Sequence, residues 1–121
     1  CVTSFAQAGV ARAIDEADAD VEAMIREYRR RRDLVMSYLG RMEGIEVVTP
    51  HGAFYVFPCI RKLGMSSFEF CSYLLEEAGV STVPGDSFLA EDFFRIAYCR
   101  SYAEIEEGMK RMEKAVAKLR K

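Results

Sequence analysis

Arg95 is the residue whose chemistry most needs a partner. It lies in "FFRIAYC" (residues 93–99), where every other residue is apolar or weakly polar. In a strand, alternate side chains lie on opposite faces. One face then carries Phe93, Arg95, Ala97 and Cys99, and the other carries Phe94, Ile96 and Tyr98. A guanidinium group keeps its proton even when it is buried, so Arg95 requires an anion. The anion is either one of the 19 acidic residues, in an internal salt bridge, or a ligand carboxylate or phosphate held by two parallel N–H···O bonds.

Residues suited to nucleophilic or metal chemistry are few. The single histidine, His51, stands in Pro-His-Gly, which predicts a solvated turn with no acid nearby in sequence. The four cysteines have no C-x-x-C spacing, and one histidine cannot complete a zinc site with them. Cys59, Cys71 and Cys99 fall in or beside apolar segments, which predicts buried structural thiols. Since glycine-rich phosphate motifs and G-x-S-x-G are also absent, the chain alone does not have the residues of a complete enzyme.

The run of four arginines, Arg29 to Arg32, is the one feature that suggests a nucleic-acid partner. On a helix, successive residues are about 100° apart, so these side chains point around the whole circumference and form no basic stripe. We expect a solvated or salt-bridged face, with Arg31 or Arg32 near the apolar side of the helix. The net charge of −2 also favours no nucleic-acid or membrane partner.

The chain shows no signal peptide and no apolar run near the 18 or so residues that cross a membrane. We therefore expect reduced thiols and a cytoplasmic location. The sequence opens on Cys1 without an initiator methionine, so we expect a piece cut from a larger protein.

The first 44 residues are predicted to be helical. Ser4 is placed as the cap of a first helix that runs to about Ile14, and the acidic residues 15–20 are placed in a loop. Apolar residues at helical spacing then predict a long helix from Val21 to Met42, ended by Gly44.

Residues 45–121 alternate strand and helix signals. Strands are predicted in "EVVTP" (46–50), "AFYVFP" (53–58), "STV" (81–83) and "FFRIAYC", and Pro84-Gly85 forms a turn. Capping boxes begin two helices, Ser66 with Glu69 and Ser101 with Glu104, and Gly79 ends the first of them. The buried positions of that helix are predicted to be Cys71, Leu74, Leu75 and Ala78.

The resulting order is α-α-β-β-α-β-β-α. Amphipathic helices between short strands predict one α+β domain, in which helices cover one face of a small, mainly antiparallel sheet. The 121 residues are enough for one hydrophobic core.

An ordered series of motifs adds to these signals. The series is P-x-G-A-F-Y-x-F-P (50–58), "LLEEAGV" (74–80), V-P-G-x-x-F (83–88) and R-I-x-Y (95–98). In this order and at this spacing, the chain resembles the C-terminal part of class I/II aminotransferases, the pyridoxal-phosphate enzymes of fold type I that include aspartate and aromatic aminotransferases. "SFAQAGVARAI" and "YRRRRDLV" also resemble the preceding family segments, so the resemblance covers essentially the whole chain.

The resemblance implies a structure and a role for each part. Residues 1–121 would be the small domain, with 1–44 as the helical link to an absent large domain and 45–121 as the sheet and its helices. Arg95 matches the family arginine that grips the α-carboxylate of an amino acid or 2-oxo acid substrate. Closure of the small domain on that carboxylate would exclude water. The parent protein would be a homodimer.

The resemblance also implies what this chain lacks. The lysine that forms the Schiff base with pyridoxal 5′-phosphate lies upstream in the large domain, and none of the five lysines here (62, 110, 114, 118, 121) stands in that motif. We therefore expect no catalytic residue and no bound cofactor in this chain, and no activity from it alone.

The chain departs from the family pattern at two places, and two alternative functions stay open. Leu89 to Asp92 ("LAED") replaces glycines found in many relatives, which leaves the loop beside the substrate undefined, and Ala97 replaces a common serine. Aspartate, alanine, aromatic and other substrates all remain possible. One alternative is a non-catalytic ligand-binding or regulatory α+β module in which Arg95 binds an effector carboxylate. The other is a structural interaction domain in which Arg95 is only salt-bridged.

Overall fold

A computed structural model describes residues 2–119 and confirms the α+β class. Its helices, in chain order, are α1 (Ser4–Glu16), α2 (Asp18–Leu39), α3 (Ser67–Ala78) and α4 (Tyr102–Lys118). Its strands are β1 (Tyr55–Val56), β2 (Val83–Pro84) and β3 (Phe94–Ala97). Short 3-10 turns cover Arg61–Leu63 and Gly85–Phe88.

The central strand of the sheet is β3, which pairs antiparallel with both β1 and β2. Tyr55 lies opposite Ala97 and Val83 lies opposite Arg95. The predicted alternation is confirmed, because Phe94 and Ile96 are buried while Arg95 is half-buried and Ala97 is exposed. The sheet therefore has a core face and an open face, and Arg95 lies on the open one.

The hydrophobic core lies between the core face of the sheet and helices α2, α3 and α4. At its centre the rings of Phe70 and Phe94 meet edge to face, with centroids 4.9 Å apart. Helix α4 contributes Ile105, Met109, Met112 and Val116 to this core, and all four are buried.

The first helix and the start of the second lie outside this core. None of the residues of α1 is buried, and the buried residues of α2 begin only at Val35. Large apolar side chains are consequently exposed along this segment, including Phe5, Val10, Ile14 and Met24.

Both predicted capping boxes are present. The Ser66 hydroxyl accepts the N–H of Glu69, and the Glu69 carboxylate accepts the N–H of Ser66 at 2.9 Å. Ser101 and Glu104 form the same pair at the start of α4. The predicted end of α3 is also confirmed, since Gly79 is left-handed with φ 62°.

Several helix boundaries predicted from the sequence are wrong. Ser4 is the first helical residue, not a cap, and Thr3 precedes it without a side-chain cap bond. Residues 15–20 are helical apart from Ala17, and Asp18 and Asp20 fall in the first turn of α2, where negative charge is favoured. Helix α2 runs from Asp18 to Leu39, with Gly40 as its cap, so it begins three residues before the predicted Val21 and ends three residues before the predicted Met42.

The predicted strand 46–50 is wrong as well. Only Glu46 pairs, in an isolated antiparallel bridge with Cys59, and residues 47–50 find no neighbouring strand within the described chain. A β-prone sequence forms a ladder only where a partner strand lies beside it. On α3, Leu75 is exposed and Phe70 takes the buried position instead.

Candidate functional site

Arg95 lies in a pocket on the open face of the sheet. The pocket has a volume of about 200 Å³ and is lined by Tyr55, Phe57, Phe88 and Arg95. Tyr55 and Phe57 flank the buried Val56, so the strand alternation turns both of them toward Arg95. Phe88 comes from the 3-10 turn that follows β2.

The guanidinium group of Arg95 is surrounded by rings, and within residues 2–119 it meets no acid. Its Cζ lies 4.8 Å from the ring centre of Phe88 and 5.5 Å from that of Tyr55. No ion pair or hydrogen bond joins its side chain to another described residue. Arg95 therefore forms no internal salt bridge within residues 2–119. Cation–π contacts hold the charge but leave the N–H donors of the guanidinium free for an anion.

The rings around Arg95 also pack on one another. Phe57 meets Phe88 edge to face, with centroids 5.8 Å apart, and stacks on Phe93 at 5.2 Å. Tyr55 is held by Phe54 in a T-shaped contact at 5.9 Å. No role for these rings is predicted from the sequence, although strand alternation, which places Arg95, also places Tyr55 and Phe57 together on one face. Apolar rings beside the guanidinium lower the local polarity, which strengthens a charge-assisted hydrogen bond formed there.

The loop that carries Phe88, residues 85–92, has a defined shape. The N–H of Gly85 donates to the carbonyl of Phe93 at 2.8 Å, and the N–H of Ala90 donates to the carbonyl of Gly85 at 3.0 Å. The fully buried Ser67 donates its hydroxyl proton to the Asp86 carboxylate at 2.5 Å. The loop that the sequence left undefined is thus closed by backbone and side-chain hydrogen bonds.

An ion pair with a residue outside the loop holds the C-terminal end of this loop, whereas the tip of the loop is exposed. Arg61 pairs with Asp92 at 2.8 Å. Leu89 is left-handed, with φ 56°, and is 99% exposed.

The four consecutive arginines are distributed around α2, as predicted. Arg31 pairs with Glu27 at 2.7 Å, and the guanidinium of Arg30 lies 4.0 Å from the ring centre of Tyr102. Arg32 pairs with the neighbouring Asp33 at 2.7 Å and reaches the carbonyl of Pro50 at 3.3 Å. The salt-bridged face is confirmed for these residues, and none of them lines the Arg95 pocket.

The remaining candidate residues do not come together. His51 is exposed in its turn, as predicted. Cys71 is buried and accepts a hydrogen bond from the Thr82 hydroxyl, and its burial raises the pKa of the thiol. Cys59 is half-buried, but Cys99 is exposed, so the prediction of a buried thiol is wrong there. The position of Cys99 follows from the alternation, which puts it on the open face with Arg95.

Metal-ligand clusters and membrane-spanning helices are both absent from the described part of the chain. Residues 2–119 contain no group of three or more His, Cys, Asp or Glu side chains placed to hold a metal ion. In the same residues no helix is both long and apolar enough to cross a membrane.

The described lysines lie away from the Arg95 pocket. Lys62, Lys110 and Lys118 are exposed, and their ammonium groups pair with the carboxylates of nearby glutamates. Lys121 lies outside the described residues, and no amine lines the Arg95 pocket. Within residues 2–119 the charged group that lines this pocket is the guanidinium of Arg95.

Comparison with known proteins gives consistent matches. The profile of the family described as "Aminotransferase class I and II" matches residues 1–112. The aromatic-amino-acid aminotransferase 2 of Thermococcus litoralis is 45% identical over 120 residues, which are 96% of this chain and 31% of that protein. The aspartate aminotransferase of Pyrococcus abyssi is 42% identical over 120 residues, again 96% of this chain and 31% of that protein.

A solved structure agrees with these sequence matches. The aromatic aminotransferase of Pyrococcus horikoshii superposes with a TM-score of 0.92 at 41% identity, covering 98% of this chain and 32% of that one. The chain thus spans about 31% of the length of the curated relatives that it matches.

Proposed function

The chain belongs to the class I and II aminotransferase family, and on that premise we propose that it is the C-terminal small domain of a pyridoxal-phosphate-dependent aminotransferase. In this proposal Arg95 binds the α-carboxylate of the amino acid and 2-oxo acid substrates. The parent protein transfers an amino group between them, and this chain alone is inactive.

The observation that carries the proposal is the state of Arg95. Its guanidinium group is half-buried among rings on the open face of a sheet and has no acidic partner in residues 2–119. A planar fork of N–H donors matches the two oxygens of a carboxylate. Because Arg95 stands on the central strand, such a pair would fix both the position and the orientation of the substrate.

The exposed apolar residues support a larger parent. Phe5 and Ile14 of α1 are 79% and 72% exposed, more than a large apolar side chain usually is. We propose that residues 1–44 are the helical link to the large domain of the same chain, which covers these side chains, and that residues 45–121 are the small domain proper. The parent as a homodimer and its cytoplasmic location stay predictions.

We propose pyridoxal 5′-phosphate as the cofactor of the parent protein only because the chain belongs to this family. In this proposal the groups that hold the cofactor lie in the rest of the parent. No reaction step is assigned to this chain beyond binding and orienting the carboxylate.

The test uses the full-length protein with amino donor and 2-oxo acid acceptor. Arg95→Ala should raise KM for the amino donor about 10- to 150-fold, since a hydrogen bond to a charged group contributes about 1.5–3 kcal/mol. Arg95→Lys should recover part of the loss, because it keeps the charge but not the fork. Arg26→Ala removes an exposed arginine of α2 that is paired only with Glu22, and it serves as the matched control.

Two results would contradict the proposal. An unchanged KM in Arg95→Ala would show that Arg95 does not bind the substrate carboxylate. A full-length protein without aminotransferase activity would favour the non-catalytic ligand-binding module instead.

A further inference from the structure

The aromatic group closest to the charge of Arg95 is the ring of Phe88. The guanidinium carbon lies 4.8 Å from its ring centre, inside the range of about 6 Å where cation–π attraction is significant. Tyr55 flanks the same guanidinium at 5.5 Å. An arginine side chain has high rotamer entropy, so a guanidinium without an acidic partner needs some other group to keep it in one position.

The ring of Phe88 is held in place by its surroundings, as a group that positions the guanidinium must be. It stands at the end of the turn Gly85–Phe88, which is closed by the hydrogen bond from the Ala90 N–H to the Gly85 carbonyl. The turn is anchored to α3 by the Ser67–Asp86 hydrogen bond. Phe57 packs edge-on against the ring at 5.8 Å. The ring is therefore fixed from two sides, by its backbone and by a neighbouring ring, although 45% of its surface is exposed.

We propose that Phe88 is a positioning residue for Arg95, whose ring holds the guanidinium group in the orientation that receives a carboxylate. This inference rests on the proposed function. It adds that the binding strength of the carboxylate site depends on a ring carried by the 85–92 loop. Phe88 acts through Arg95 and not through the side chain of the substrate.

The first experiment compares Phe88→Leu with Phe88→Tyr in the full-length protein. Leucine keeps much of the apolar volume but removes the ring, whereas tyrosine keeps the ring. We expect Phe88→Leu to raise KM for the amino donor about 3- to 30-fold, with kcat changed less than about twofold. Phe88→Tyr should have nearly the same KM for the amino donor as the unmodified protein. Phe68→Leu, at an exposed phenylalanine of α3, is the matched control.

Two amino donors with different side chains separate the proposed role from direct contact with the substrate. If Phe88 acts through Arg95, the rise in KM is the same factor for an aromatic and an aliphatic donor, because both carry the same α-carboxylate. A rise confined to one donor would mean that Phe88 touches the substrate side chain, and the proposal would be wrong.

A double-mutant cycle gives the decisive result. In an Arg95→Ala background, Phe88→Leu should have almost no further effect on kcat/KM, because the group that it positions has been removed. If the effects of the two substitutions on kcat/KM are additive, the positioning role of Phe88 is wrong. A large effect of Arg95→Ala alone would still support the proposed function. If instead Arg95→Ala itself changes nothing, the proposed function fails, and the role of Phe88 fails with it.

Discussion

Replacing Gly85 by alanine tests how far the 85–92 loop depends on its backbone. A Cβ at this position would lie 2.9 Å from the carbonyl carbon of Phe93 and nearer still to the carbonyl oxygens of Phe93 and Ala90, whereas ordinary contacts of a Cβ begin at 3.4 Å. Both oxygens belong to backbone, so no side chain can rotate away to make room. The loop and the start of β3 must separate.

The cost follows from the hydrogen bonds that this separation breaks. The bond from the Gly85 N–H to the Phe93 carbonyl, at 2.8 Å, and the bond from the Ala90 N–H to the Gly85 carbonyl, at 3.0 Å, both cross the contact. At about 0.5–1.5 kcal/mol each, their loss lowers the free energy of unfolding by about 1–3 kcal/mol. The smaller conformational entropy of alanine in the unfolded chain returns about 0.4–1 kcal/mol of this.

Urea unfolding of the 121-residue chain, followed by circular dichroism, measures the effect. We expect the midpoint to fall by about 1 M, since m for a small domain is about 1–3 kcal/mol/M. Gly52→Ala is the control, because a Cβ there meets no atom within 4 Å and should leave the midpoint nearly unchanged. Equal midpoints for the two variants, with equal m, would refute the close approach at Gly85.

Three further predictions concern the rest of the chain. Gly108→Ala in α4 should raise the free energy of unfolding by about 0.5–1 kcal/mol in the same urea assay, because a Cβ meets nothing within 4 Å and alanine favours a helix. A lower stability would show that a Cβ at this position does not lie in open space. The Ser101 hydrogen bonds lower the pKa of Glu104, so its contribution to stability is present above the unfolded pKa of about 4.3 and is lost as the pH falls through the lower folded pKa. The stability gap between the unmodified chain and Glu104→Gln should therefore shrink below pH 4, and a gap independent of pH would contradict the pairing. In the native protein, iodoacetamide should modify the exposed Cys99 well before Cys71, because the Cys71 thiol is buried and its pKa is raised. The order is measured by mass-spectrometric mapping, and the reverse order would contradict the burial of Cys71.

The features predicted well from the sequence are local. The capping boxes of Ser66 and Ser101 depend on a glutamate three residues away, and the end of α3 at Gly79 depends on one left-handed glycine. The alternation along β3 needs only the seven residues themselves. Such signals survive folding because the groups that satisfy them are already neighbours in the chain.

The features predicted badly depend on distant partners. "EVVTP" has strong β propensity but pairs only at Glu46, because no strand lies beside the rest of it in the described chain. Leu75 matches the helical spacing of the core but is exposed, since the face that α3 buries is chosen by what packs against it. The exposure of Cys99 similarly follows from which face of the sheet the helices cover.

The sequence by itself determined that Arg95 stands among apolar residues on one face of a strand and needs an anion. It could not determine whether one of the 19 acidic residues supplies that anion, because this depends on where each acid lies after folding. The tertiary structure decided the matter for residues 2–119. Packing α2, α3 and α4 on the opposite face of the sheet left Arg95 with Tyr55 and Phe88 and without an acid. Rings can hold a charge without consuming its N–H donors, and those donors are what the proposed binding of a carboxylate requires.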